Sequence, residues 1–276
     1  MRTVLTHFYN EEYLLPWWLE HHVRLFDHGV LIDHGSTDGS ADICRRIAPH
    51  WRVVRSRLTH FDAYLTDFEL MGYEQELPGW KVALTVTEFL LPARPLAEFE
   101  RKLEREGRMG GAASGFQLVD VEPEREPEPG RPLLLQKTHG IDDNAGLPPR
   151  ERLRIGLAAE ASHNRAYHRL PVGMYTPGRH ASFHPDNVVR HPDIVVVHLS
   201  FAPWNTRFLQ RKMQIAAKVP AEDLKHQRGA HHLRTRAHWE TFHQAIAQHA
   251  VDLRAHPVAG PALARLELSL QPPPLT

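Results

Sequence analysis

Apolar and polar residues alternate along the first sixty positions in a way that predicts a β-α-β-α-β order. Thr3 to Phe8 (Thr-Val-Leu-Thr-His-Phe) reads as a buried first strand. From Asn10-Glu11-Glu12 to about Phe26, the residues Leu14, Leu15, Trp18, Leu19, His22 and Val23 recur at helical spacing. Gly29 ends that helix, and Val30-Leu31-Ile32 is a continuous apolar run of the kind buried inside a parallel sheet. The polar stretch Asp33 to Ser40 then forms a turn, with Ser40 placed to cap a helix over Ala41 to Ala48. Trp51 to Arg57 supplies a third strand. Strands alternating with helices require right-handed crossovers, so the fold class is α/β, a doubly wound mixed and mostly parallel sheet flanked by helices.

Beyond Gly79 the pattern predicts a strand from Trp80 to Leu84 that runs on through Leu90 until Pro92 and Pro95 stop it. A helix over Leu96 to Glu106 and a strand over Gly110 to Val119 follow. Glu122 to Pro132, rich in Glu and Pro, is a solvated loop, and Leu133 to Lys137 resumes as a strand. The run Ile194 to Val197 is a strand ending at His198, and a loop with Pro203 and Trp204 leads into a helix that reaches about Lys218. A second helix covers roughly Arg236 to Arg254. This divides the chain into an α/β domain over 1–205, a C-terminal helical extension over 206–256, and a flexible tail over 257–276 ending in a proline-rich stretch.

Composition narrows the function classes. Lys plus Arg and Asp plus Glu are both 33, so no global positive field favours nucleic acid or an anionic membrane. The single cysteine, Cys44, can form no internal disulfide, and no stretch approaches about 18 uninterrupted apolar residues. A cytoplasmic protein without a transmembrane segment is expected. The 21 histidines are scattered, with no His-Glu-x-x-His spacing, and are expected mostly at the surface or at caps, without a dedicated zinc site. The basic, aromatic stretch from His231 to Arg236 with Trp239 is read as one helix face and its lead-in, so nucleic acid is not an expected partner.

Three segments carry the candidate chemistry. Asn10-Glu11-Glu12 follows the first strand, Asp-x-x-Ser-x-Asp-Gly (Asp33, Ser36, Asp38, Gly39) follows the second, and Trp-x-x-x-Leu-x-x-x-Glu-Phe-Leu (Trp80 to Leu90) follows later. Ligands of open α/β sheets bind outside the carboxyl ends of the strands, where the first two segments lie. This combination resembles family 2 glycosyltransferases and their family-92-like relatives, of the GT-A fold, well over residues 3 to about 92 and more loosely to about 218. The resemblance implies that Asn10, Glu11, Glu12, Asp33, Gly35, Ser36 and Asp38 surround the nucleotide of a nucleotide-sugar donor, with carboxylates accepting from uracil or ribose. It also implies an Asp-x-Asp metal motif where this chain has Thr85 and Thr87. Two residues apart on a strand, both positions change on one face, and a hydroxyl is a poor ligand for a hard divalent ion.

The resemblance therefore implies a donor site that handles the diphosphate differently. His198 matches the histidine that reaches the metal or diphosphate in such enzymes, and Arg211 and Lys212, with Arg207 one turn earlier, are candidate cations for the leaving diphosphate. No cofactor is expected to be required; Mn2+ or Mg2+ are the ions that the usual motif would hold. The general base is Asp142 or Asp143, in the polar loop after a strand, or Glu88, left free by the loss of the metal. The acceptor side falls to Arg169 and His180, near Arg165 and Gly178, and to Trp204 as a sugar-stacking ring; of Trp17, Trp18 and Trp204, two are expected to be packing residues. The expected activity is transfer of a sugar, UDP-linked by preference, to a hydroxyl of a small-molecule or glycan acceptor, with weak or no metal dependence. The alternative is an inactive relative that binds nucleotide sugar or glycan. Oligomeric state is left open.

Overall fold

The computed structural model describes residues 1–62, 64–145, 147–160, 163–226 and 229–270. Strands β1 (Arg2–Phe8), β2 (His28–Asp33) and β3 (Arg52–Arg55) alternate with helices α1 (Leu15–His22) and α2 (Ser40–Ile47). Helix α3 (Leu65–Gln75) then leads to β4 (Trp80–Ala83), β5 (Glu88–Pro92), α4 (Leu96–Arg105) and β6 (Gly110–Val119). Short elements α5 (Leu133–Gln136), β7 (His139–Asp142) and α6 (Pro149–Arg154) precede β8 (Arg165–His168) and the long β9 (Arg190–Phe201). The chain ends with α7 (Thr206–Gln214), α8 (Ala221–Lys225), α9 (Arg236–Ala247), β10 (Val251–Asp252) and α10 (Ala259–Leu268).

Among the described residues, ten strands join one mixed sheet in the order β10-β7-β6-β8-β4-β1-β2-β3, with β9 pairing β5 and β6 off this path. The strands β4, β1, β2 and β3 run parallel. On one face Val4, Phe8 and Leu31 pack with α1, α2 and α10 in the main core; on the other, Leu5, Val30 and Ile32 pack with Leu70 and Tyr73 of α3. Helices thus cover both faces, and the α/β class read from the sequence is the one observed.

Several elements differ from expectation. Helix α1 starts only at Leu15, because Asn10 has a positive φ of 51° and residues 10–14 turn back over the β2 rim. Ser40 does not cap α2; its Oγ accepts the Glu11 N–H at 2.8 Å. The strand expected over Trp80 to Leu90 is two strands, β4 and β5, broken by a turn in which the Glu88 N–H donates to Thr85 O. Leu133 to Lys137 forms a short helix rather than a strand, since a brief apolar run carries no period of its own. His198 lies inside β9, which continues to Phe201. The tail expected over 257–276 contains α10, whose Leu263 and Leu266 enter the main core, and β10 adds to the sheet through β7. Of that tail, 271–276 lie outside the described residues. None of the described helices is long and apolar enough to cross a membrane.

Candidate functional site

The carboxyl ends of β1 and β2 carry two loops that satisfy each other's backbone. Asn10 Oδ1 accepts the Thr37 N–H at 2.7 Å, while Ser36 Oγ accepts the Asn10 N–H at 3.0 Å. Glu12 Oε2 accepts from Gly39 N–H and Asp38 Oδ2 from Glu12 N–H, at 3.0 and 3.1 Å. Asp33 Oδ1 accepts from both Gly35 and Ser36 N–H, at 3.0 and 2.8 Å. Gly35 adopts φ 85°, and a Cβ there would stand 2.8 Å from the Arg55 guanidinium, so only glycine fits the turn. The expected nucleotide-side residues therefore do share one rim, with much of their hydrogen-bonding capacity already spent on shaping it.

Across the rim, ion pairs take over. Arg211 of α7 donates Nε and Nη2 to the two oxygens of Glu11 at 2.5 and 2.6 Å, and Gln214 donates to the Tyr9 and Asn10 carbonyls. Arg211, read as a candidate cation for the diphosphate, is thus paired with Glu11. Burial raises the Glu11 pKa, with Arg211 opposing. Lys212 is different. Its Nζ donates to Ser200 O at 2.8 Å and stands 4.3 Å from the Trp239 ring centre. Burial, then Arg211 and Arg234, push it down to about 7.

Glu88 is fully buried, with Arg165 Nε and Nη2 on its two oxygens and the Thr85 N–H donating to Oε2 at 2.8 Å. Burial raises its pKa, but the Arg165 charge and hydrogen bonds prevail and hold it below the ordinary value. This corrects its reading as a free base. The Thr85 and Thr87 hydroxyls, brought together by the turn, bond each other at 2.8 Å. Two hydroxyls bonded to each other and a carboxylate clamped by arginine do not fit a hard divalent ion, which takes at least one available carboxylate in such sites.

Asp143 is also buried, bound by Arg152 Nη2 at 2.7 Å, by Gln117 Nε2 at 2.6 Å and, through Oδ2, by His163, whose Nδ1 is 3.3 Å away. Burial opposes its ionisation, yet His163, Arg152 and Gln117 hold it well below the carboxylate range. Enclosed this way, Asp143 cannot touch an acceptor itself, another correction. Asp142 is only half-buried, its Oδ1 accepting from the Asn144 N–H at 2.9 Å.

The same network assigns protons. Asp143 accepts from the Gln117 amide nitrogen, which turns Gln117 Oε1 toward Ser200; the Ser200 hydroxyl donates to it at 2.8 Å. With its one proton used, Ser200 Oγ accepts from His198 Nδ1 at 2.9 Å, leaving His198 Nε2 as the lone-pair nitrogen. The His163 Nδ1 faces Asp143 Oδ2, and the His163 and His198 rings stack at 4.3 Å. His198 lies opposite Glu88 in the β5–β9 register and is pushed well below the ordinary histidine value by burial, with His163 and Lys212 adding to the effect.

His163 is the group that the sequence did not reveal. It stands 20 residues from Asp143, in no motif, and only Gly115 of β6, where a Cβ would meet the His163 carbonyl at 2.7 Å, admits its backbone so close. His180 is exposed at the margin, its ring 6.5 Å from that of His163. Arg169 and Trp204 are corrected as acceptor-side residues. Arg169 lies past the far end of β8, over Trp80 and bonded to Glu104. Trp204 is buried against His243 at 4.2 Å, with its N–H backbone donor on Asp120. Trp17 and Trp18 are core residues, and Trp18 Nε1 donates to Glu88 O.

No family model matches the chain, and no curated protein matches it. Among solved structures, S. aureus TarS 1–349 is 13% identical, covering 96% of this chain and 87% of its own, with a TM-score of 0.39. In another S. aureus TarS structure the match is again 13% identical, with a TM-score of 0.38, and spans only 39% of that chain against 78% of this one. M. tuberculosis glucosyl-3-phosphoglycerate synthase is 17% identical over 78% of this chain and 77% of its own, with a TM-score of 0.39. Likenesses this distant assign no activity.

Proposed function

We propose that the chain is a glycosyltransferase of the GT-A type, moving a sugar from a nucleotide diphosphate donor, UDP-linked by preference, to an acceptor hydroxyl without a divalent ion at the Thr85–Thr87 turn. The observation that carries this reading is the link, through the Glu11–Arg211 pair, between the two braced loops after β1 and β2 and the next residue of α7, Lys212, which shares the Trp239 ring with Arg234. Asn10, Asp33 and Asp38 shape the nucleoside side; Lys212 and Arg234 take the charge that develops on the leaving diphosphate, as fixed cations can in a water-poor site. His163, oriented through Nδ1 by Asp143, is the general base toward the acceptor hydroxyl, and His198 Nε2 accepts a hydrogen bond from a substrate hydroxyl. Asp143 acts through His163 as a positioning residue.

A second reading, a non-catalytic binder of nucleotide sugar or glycan, is favoured by one feature: Glu11, Glu88 and Asp143 are each paired with an arginine. Calorimetric titration with UDP and UDP-sugars, first in EDTA and then with manganese, tests both. Binding that survives EDTA, followed by acceptor-dependent release of UDP, supports transfer. Binding without release in any acceptor supports the second reading, binding only with manganese sinks the metal-free donor site, and no binding of UDP or a UDP-sugar in either condition sinks the UDP-linked donor and leaves the second reading only its glycan form.

A further inference from the structure

On the α3 face, away from the cations above, the ends of three strands converge on one carboxylate. His7 of β1, His34 just after β2 and Glu69 of α3 each place a ligand-capable atom within 4.8 Å of the others. His7 Nε2 is 3.3 Å from Glu69 Oε2, and Ser56, just after β3, donates its hydroxyl to the same oxygen at 2.7 Å while standing 3.3 Å from His34 Nε2. Ligands at about 2.0–2.1 Å around a tetrahedral zinc ion are separated by about 3.3 Å. Glu69 Oε1 accepts the Arg57 N–H at 2.7 Å, which turns Oε2 toward the two rings as an outer partner turns a ligating carboxylate.

The setting separates this cluster from an ordinary polar surface. His7 and His34 are 7% and 2% exposed, and the Glu69 side chain is 5% exposed. Beneath them lies the apolar layer of Leu5, Val30, Ile32, Leu70 and Tyr73, and Phe61 stacks on His34 at 4.2 Å. Each ring has a second nitrogen, Nδ1, buried without a hydrogen-bond partner. A metal on Nε2 would put the proton on Nδ1, so what marks the site is the convergence of the three ligand groups and their burial, not these second nitrogens.

We propose that His7, His34 and Glu69 form a site for one divalent transition ion of the zinc class, with Ser56 or water as the fourth ligand. Two imidazoles and one carboxylate are a donor set suited to zinc and cobalt and unsuited to calcium or magnesium. The ion would tie the β1 and β2 ends, and so the Asp33–Ser40 loop, to α3. This is independent of the nucleotide reading, since it uses none of the residues assigned there.

The test is titration of the chelator-stripped full chain with cobalt, read by its visible ligand-field absorption, followed by displacement with zinc. One equivalent with a tetrahedral spectrum is expected. His50→Gln, which removes an exposed histidine, should leave the affinity unchanged, whereas His34→Gln and Glu69→Gln should each weaken it by at least about 100-fold, beyond the loss of an outer partner alone. Circular dichroism confirms that the variants are folded, and X-ray absorption of zinc-loaded wild type, which should count two imidazoles, gives an answer even if they are not. A wild type without a stoichiometric cobalt band, ligand variants that bind like wild type, or a zinc shell without two imidazoles overturns the proposal.

Discussion

The two halves of the sheet hold their rims in different ways. In the parallel half, the loops after β1 and β2 are fastened mostly by side-chain oxygens accepting backbone N–H groups, with donors and acceptors drawn from two short segments. In the half built from β6, β8 and β9, the rim is fastened by buried charge: Arg165 on Glu88, Arg152 on Asp143 and, reaching back to the parallel half, Arg211 on Glu11. The first device leaves a rim whose cost of disruption is local and modest. The second concentrates large opposing terms, because each ion has been removed from water and depends on one partner.

The sharpest way to break that comparison is to unpair a buried ion. Arg165→Met leaves Glu88 enclosed without its cation and should lower stability by about 3–5 kcal/mol in urea denaturation, whereas the double change Arg165→Met with Glu88→Leu should recover most of that loss. If the double variant is no better than the single one, the pair is not the reason for the effect. In the parallel half, Gly35→Ala forces a non-glycine residue to positive φ against Arg55 and should cost about 1–3 kcal/mol. Asn10→Ala, removing the acceptor for the Thr37 N–H, should cost about 1 kcal/mol; a loss as large as that of Arg165→Met would mean that the two rims are not built differently.

The smallest signal is protonic. Lys212 is lowered from 10.5 to about 7, first by burial and then by Arg211 and Arg234, so between these values the unfolded chain binds more protons than the folded one. The stability it costs is therefore full below about 7, shrinks with rising pH across that window and is gone above 10.5. An anion bound beside it reverses the shift. UDP binding at pH 8 should take up a proton, to at most about one per site, seen as a dependence of binding enthalpy on buffer ionisation, and Lys212→Met should abolish the uptake. Uptake that is unchanged in the variant would place the diphosphate elsewhere.

The degree to which each region could be read in advance follows the same division. The strands β1, β2 and β6, helix α4 and the two loops at the β1 and β2 ends were legible, since apolar period and polar turn residues act over a few neighbours. Helix α3 escaped because Phe68 and Leu65 are exposed while Asp67 and Glu74 are buried, which inverts the pattern that marks a helix face. The Thr85–Thr87 turn was read as strand, and the bond between the two hydroxyls comes from that turn.

What the residues alone determined is the β-α-β-α-β order of the N-terminal part, the doubly wound class and the rim on which Asn10 to Glu12 and Asp33 to Ser40 sit, because a backbone N–H left without water finds its acceptor nearby. The tertiary structure alone decided which charges meet. Glu88 finds Arg165 77 positions away, Glu11 finds Arg211 after 200, and His7 finds Glu69 after 62. No local period encodes such pairs. They form when packing has already excluded water, and the partner available at that depth, rather than any spacing in the chain, determines whether a carboxylate becomes a base, a clamp or a ligand.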